Sequence, residues 1–147
     1  MPRMIFLNLP VADVAGATRF YESIGCVKDP RFSADHASSM KWSETIVFMI
    51  LDRAYFAGFT PHPVADAKSV TETLVCLSME SRAEVDTIVE KAAAAGGTAD
   101  VRPAQDAGFM YGRSFTDLDG HIFEPMFMDE AAMVDALSST HRDTQNA

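Results

Sequence analysis

The sequence predicts an α+β protein built from two copies of a βαβββ module, and three observations carry that expectation. An apolar strand run, a capped amphipathic helix and a stopping glycine occur in that order twice, over residues 4–25 and 73–96. Three strand-like runs follow each helix. In the second copy the last two of these flank Asp117-Leu118-Asp119-Gly120, and Asp-Gly is a strong hairpin signal because glycine accepts a positive φ.

The first copy, residues 1–59, opens with an apolar strand at 4–11. Asp13 then caps a helix in which Val14, Ala17, Phe20, Tyr21 and Ile24 recur at helical spacing, and Gly25 ends it. Strands around 27–32, 38–42 and 45–51 complete the unit. Residues 60–70 read as a linker, since Gly58, Pro61 and Pro63 with polar neighbours punctuate the stretch. The second copy, residues 71–129, opens with a strand at 73–79. Ser81 and Glu84 then form a capping box, each satisfying a backbone N–H at the helix start. Val85, Ile88, Val89, Ala92 and Ala93 mark the buried face of that helix, and Gly96 stops it. Strands follow near 98–102, 110–116 and 121–128. Residues 130–147 begin as a short helix over 130–137 and turn polar at Ser138, reading as a mobile tail. Each copy offers one sheet face to something, so the two sheets pack or curl together within one domain or across a dimer.

Composition narrows the function classes. At 147 residues, with 48% apolar and 22% charged residues, the chain fits one compact soluble unit. A net charge of −9 with scattered Lys and Arg argues against nucleic acid, which needs a basic face. The longest apolar runs, such as 46–51, fall far short of a bilayer span, so no membrane partner is expected. The N-terminus lacks a signal-peptide pattern, which makes the cytoplasm the expected location. Cys26 and Cys76 form no pattern and read as reduced thiols. There is no G-x-S-x-G, no phosphate-cradling glycine loop and no Cys/His cluster at zinc spacing.

One residue breaks the apolar pattern. Glu124 falls in the strand 121–128, where alternation puts Ile122, Glu124, Met126 and Met128 on one face and His121, Phe123, Pro125 and Phe127 on the other. Either that first face lines a cavity with a working carboxylate, or Glu124 sits at a wet strand edge.

Residues 7–26, LNLPVADVAGATRFYESIGC, and residues 115–124, FTDLDGHIFE, resemble the opening strand and helix and the closing hairpin of the vicinal oxygen chelate superfamily, the glyoxalase, bleomycin resistance protein and extradiol dioxygenase group. The resemblance covers residues 4–129. It implies paired modules with curled mixed sheets and a homodimer. It also implies, for metal-using members, a divalent ion such as Zn, Ni, Fe or Mn held by the first and fourth strands of each copy. Such an ion acts as a Lewis acid on two neighbouring substrate oxygens. Carried over by motif, Glu124 matches the closing-strand ligand. The other positions fall at Phe6, at Met49, and at Thr73 or Leu74, none of which suits a hard or borderline ion. A full site would need off-pattern donors, among them Asn8, His36 or His62; His121 points away from Glu124.

The expectation is therefore a protein that binds a small-molecule ligand in a sheet-lined cup without the full metal site and without another cofactor. Candidate lining residues are Phe6, Asn8, Met49, Tyr111 and Arg113, with Glu124 as the catalytic candidate and the one metal-ligand candidate. For Phe6 and Met49 the alternative is ordinary core packing, and for Arg113 a surface pair with a carboxylate. The competing expectation is an enzyme. It is either a metal-dependent lyase, isomerase or dioxygenase with off-pattern ligands, or a metal-free catalyst using Glu124 as acid or base.

Overall fold

Alternating apolar residues and two capped helices give two sheets of the same order. The structure is a computed structural model describing residues 2–146, with side chains described through residue 139. In the first half, β1 (Ile5–Val11) is followed by α1 (Val14–Ser23), β2 (Val27–Ala34), β3 (Ala37–Lys41) and β4 (Ile46–Asp52). A short helix, α2 (Arg53–Ala57), leads out of β4. In the second half, β5 (Leu74–Ser78) and α3 (Arg82–Ala94) precede β6 (Thr98–Ala99), β7 (Gln105–Asp106), β8 (Met110–Gly112), β9 (Phe115–Thr116) and β10 (Ile122–Met128). The last element is α4 (Glu130–Asn146). Among the described residues no helix is long and apolar enough to cross a membrane.

The first sheet runs β1-β4-β3-β2, with β1 parallel to β4 and the other pairs antiparallel. In the second, β10 pairs in parallel with β5 on one side and antiparallel with β8 and β9 on the other, and β7 and β6 lie outside those. β8 and β9 are thus one interrupted strand, as are β6 and β7, and the second sheet repeats the order of the first. The strand expected at 98–102 is shortened to two residues because Asp100 adopts φ +53 and Pro103 offers no N–H for a ladder.

Helix ends follow the residues that dictate them. Ser81 Oγ accepts from the Glu84 N–H at 3.1 Å, while Glu84 Oε2 reaches back to the Glu80 N–H at 2.8 Å, one residue beyond the expected partner. Asp13 takes the extended conformation of an N-cap, but its side chain makes no capping bond. Gly25 and Gly96 end α1 and α3 at φ +112 and +103, which a Cβ disfavours. α2 was not expected: Asp52 caps it by accepting from the Ala54 N–H at 2.9 Å, and five residues are too few to show a helical period. α4 extends well beyond the expected 130–137, and the side chains of the expected mobile tail from 140 on lie outside the described residues.

The two halves share one core on the helix-covered side of both sheets. Leu9, Val11, Phe48 and Ile50 of the first sheet meet Phe115, Phe123 and Leu77 of the second, with Phe20 and Tyr21 of α1 and Ile88 and Val89 of α3 between them. Phe48 and Phe123 stand edge to face, with ring centroids 5.5 Å apart, and Phe115 stacks on Phe123 at 5.3 Å. One polar pin crosses this core. The Tyr21 hydroxyl donates to Asp117 Oδ2 at 2.7 Å, while Asp117 Oδ1 accepts from the N–H groups of Asp119 and His121 at 3.0 and 2.9 Å. Burial raises the pKa of Asp117, and burial followed by the Asp117 charge raises that of Tyr21. The Asp117–Gly120 turn is the expected one, with Gly120 at φ +95.

Candidate functional site

With the helix side of each sheet filled by core, the opposite, open face is where a ligand can be met. Register fixes which side chains stand there. Asn8 lies beside Met49 in the first sheet, and Cys76 lies beside Glu124 in the second. Since Met49 and Glu124 hold matching places in their sheets, Asn8 corresponds to Cys76, and Phe6, two residues earlier on the same face, corresponds to Leu74. The ambiguity between Thr73 and Leu74 is thereby settled, because Thr73 precedes β5 and Leu74 pairs with Ile122.

The open face of the first sheet carries a cup of about 470 Å³ lined by Asn8, Phe32, His36, Met49, Tyr55 and Phe59. Phe6 shares this face by alternation and is 53% exposed. Three rings form one wall: His36 meets Tyr55 at 4.4 Å and Tyr55 meets Phe59 at 5.1 Å, both edge to face. α2 supplies Tyr55, and the turn between β2 and β3 supplies His36. Tyr55 was not visible as part of a site in the sequence, where His36 reads as a loop residue and enters only as an off-pattern donor. The one cation at the rim, Arg31, is already spent, donating from Nε and Nη2 to Asp29 at 3.0 and 2.8 Å. A separate cleft of about 400 Å³ runs beside β1 under the linker, lined by Pro10, His62, Val64, Val70 and His121. His121 lies 2.8 Å from the Pro10 carbonyl through Nε2, on the side of the sheet away from Glu124, as the alternation required.

The open face of the second sheet has a different chemistry. Leu74 and Cys76 are exposed, Ile122, Met126 and Met128 are half-buried, and Glu124 stands among them with its side chain 15% exposed. Its carboxylate is not alone: Arg102 Nη2 lies 3.0 Å from Glu124 Oε1. Burial first, and then the Glu124 charge, push the Cys76 thiol up, so this exposed cysteine is kept protonated. Cys26, the other free thiol, is buried in the core and pushed up to about 12.

Tyr111 and Arg113 do not join Glu124. The pairings Thr116 with Ile122 and Gly112 with Met126 place odd-numbered residues of this strand against odd-numbered residues of β10, so both point to the helix side. There the Tyr111 hydroxyl donates to Asp86 Oδ1 at 2.6 Å, and Arg113 donates to Asp86 at 3.0 Å and to Asp100 at 3.0 and 2.7 Å. The hydrogen bonds from Tyr111 and from Arg113 lower the pKa of Asp86, and those from Arg113 lower that of Asp100. Arg113 is thus paired with carboxylates, the alternative to a ligand role, and the structure separates both residues from the face of Glu124.

The donor set does not fit a divalent ion. Among the described residues no group of three or more His, Cys, Asp or Glu is gathered to hold one. Phe6 and Leu74 have no donor atom, the Met49 thioether is a poor partner for such ions, and the Glu124 carboxylate is engaged by a guanidinium.

The sequence matches no known protein-family profile and no curated protein. Its structure matches solved ones. A hypothetical protein from S. aureus is 24% identical with a TM-score of 0.73, over 86% of this chain and 95% of that one. A glyoxalase-related enzyme from Fulvimarina pelagi is 21% identical with a TM-score of 0.71, over 86% and 88%. A glyoxalase/bleomycin resistance protein/dioxygenase family enzyme from Burkholderia phytofirmans is 14% identical with a TM-score of 0.70, over 86% and 99%. The chain has the fold of these proteins, an α+β arrangement of curled mixed sheets.

Proposed function

We propose that this protein binds a small, planar, uncharged aromatic molecule in the cup of its first module, without a metal ion. The observation that carries the reading is the cup itself, whose wall of His36, Tyr55 and Phe59 stands beside Asn8 and Met49. Ring edges and faces suit an aromatic ligand, Met49 adapts to its outline, and the Asn8 amide offers a donor and an acceptor to orient it. The rim arginine is neutralised by Asp29, so the cup offers no free charge to a charged ligand. Glu124 is a weaker candidate for acid–base catalysis than its isolation in the sequence suggests, because Arg102 already engages it. A homodimer is proposed on the exposed Ile5 and Phe6, which a second copy would cover; sedimentation as a monomer would remove it.

The test is calorimetric titration with 1-naphthol and related neutral aromatics. Tyr55→Ala and Asn8→Ala are each expected to weaken binding by roughly ten-fold, about 1.4 kcal/mol. Protein purified without chelator should hold far less than stoichiometric Zn, Ni, Fe or Mn, and adding those ions should leave its melting point unchanged. Near-stoichiometric metal that disappears in Glu124→Ala would replace this reading with the metal-dependent enzyme.

A further inference from the structure

We propose that Arg102 is an anion-binding residue on the open face of the second module, and that its ligand is an apolar molecule bearing a carboxylate. This site goes beyond the first-module cup and does not depend on it. Three other arginines spend their donors on carboxylates or carbonyls: Arg113 on Asp86 and Asp100, Arg82 on Asp106 and the Gly108 carbonyl, Arg31 on Asp29. Arg102 is different. Its ion pair to Glu124, made through Nη2 alone, is its one hydrogen-bonding or ionic contact among the described residues, and its side chain is 47% exposed. A guanidinium carries five N–H donors in a planar fork, so Nε, Nη1 and the second N–H of Nη2 remain unspent. Glu124 is largely covered by comparison.

The surroundings select the rest of the ligand. Leu74 is 54% and Val101 42% exposed, and Ile122, Met126 and Met128 continue the apolar floor. A carboxylate would accept two parallel hydrogen bonds along the edge that Glu124 leaves open, one from the second N–H of Nη2 and one from the nitrogen beside it, and the hydrocarbon would lie along Leu74 and Ile122. A second observation points to the same place. Ser114, which the flanking registers put opposite Glu124, is fully buried, and its Oγ has no hydrogen-bond partner. A buried hydroxyl left unpaired is uncommon in a finished core and marks a polar position still to be completed.

The test uses octanoate and its neutral isostere octanamide, titrated calorimetrically into the wild-type protein and into Arg102→Met and Arg102→Lys. Octanoate should bind and octanamide should bind at least ten-fold more weakly, since a charge-assisted pair is lost. Arg102→Met should reduce octanoate to the level of the amide, and Arg102→Lys should fall between, because it keeps the charge and loses the fork. Should Arg102→Met fail to fold, the lysine variant alone decides: affinity equal to wild type overturns the proposal. It is likewise overturned if octanoate does not bind, if octanamide binds as well, or if inorganic phosphate competes at equal concentration. Binding of 1-naphthol should be untouched by Arg102→Met and weakened roughly ten-fold by Tyr55→Ala, so failure of either site is read separately.

Discussion

The two modules are the same object on one side and different objects on the other. On the helix side, matching strands present Phe48 and Phe123 to a common core, and both are fully buried. On the open side, the matching positions hold Phe6, Asn8 and Met49 in one module and Leu74, Cys76 and Glu124 in the other. The first of these faces is walled by α2 and the β2–β3 turn, whereas the second carries an ion pair whose arginine comes from the stretch between β6 and β7. Packing constrains a face that must fill a shared interior, and it leaves the opposite face free to take up different chemistry. The comparison also separates stability from binding: substitutions on the helix side should act on folding in both modules alike, and substitutions on the open side should act on ligands in one module only.

The strongest way to break the symmetry is to cut the shared core at equivalent points. Phe48→Ala and Phe123→Ala should each cost about 3–5 kcal/mol, as expected for a large aromatic removed from a closed interior. Denaturant unfolding of the two variants should give losses within about 1 kcal/mol of each other, since both rings pack on Tyr21 and on one another. A variant that melts only its own half, seen as a second transition, would show two independent cores and end the comparison.

A smaller effect tests what joins the halves. Asp117 is buried against Tyr21, with His121 and Asp119 as its other charged or titratable neighbours, and burial raises its pKa. A carboxyl whose pKa is raised in the folded state contributes stability that is fully present below its unfolded value, near 4, and is lost as the pH climbs through the folded value. Asp117→Asn keeps the shape, retains an acceptor for the Asp119 and His121 N–H groups and removes the titration. It should therefore match the wild type near pH 4 and exceed it at pH 8. Unfolding midpoints that differ equally at both pH values would show that desolvation of Asp117 is not the governing term.

The same contrast explains what was legible in the sequence. Helices α1 and α3, their stopping glycines, the Asp117–Gly120 hairpin and the placement of Glu124 all follow from short-range rules of period and turn chemistry, and the structure has them. The face of Tyr111 and Arg113 was also within reach, because counting outward from a tight hairpin pairs 116 with 122 and sends both residues to the helix side. Arg102 was not. It lies in an irregular stretch between β6 and β7, and only the tertiary path brings it to Glu124 across 22 residues of chain. The aromatic wall of the first cup has the same origin, since His36 and Tyr55 come from a turn and from a helix too short to show a period. Core is written in local patterns, whereas sites are assembled from residues that local patterns do not relate.

The smallest expected effect is the one that sharpens the comparison most. Met49→Gln and Glu124→Gln make the matching open-face positions of the two modules identical. Neither side chain fills the common core, and the Arg102–Glu124 pair has a half-exposed partner, so screening leaves it worth about 1 kcal/mol or less. Thermal unfolding should therefore place Glu124→Gln within a few degrees of the wild type for a domain of this size. Raising the salt concentration should narrow the difference further, because an exposed guanidinium is screened over a Debye length of about 8 Å at physiological ionic strength. A much larger loss, insensitive to salt, would mean that Glu124 and Arg102 hold up the sheet. The open face of the second module would then be a structural surface like its helix side, and the contrast between the two modules would lie in how each is packed.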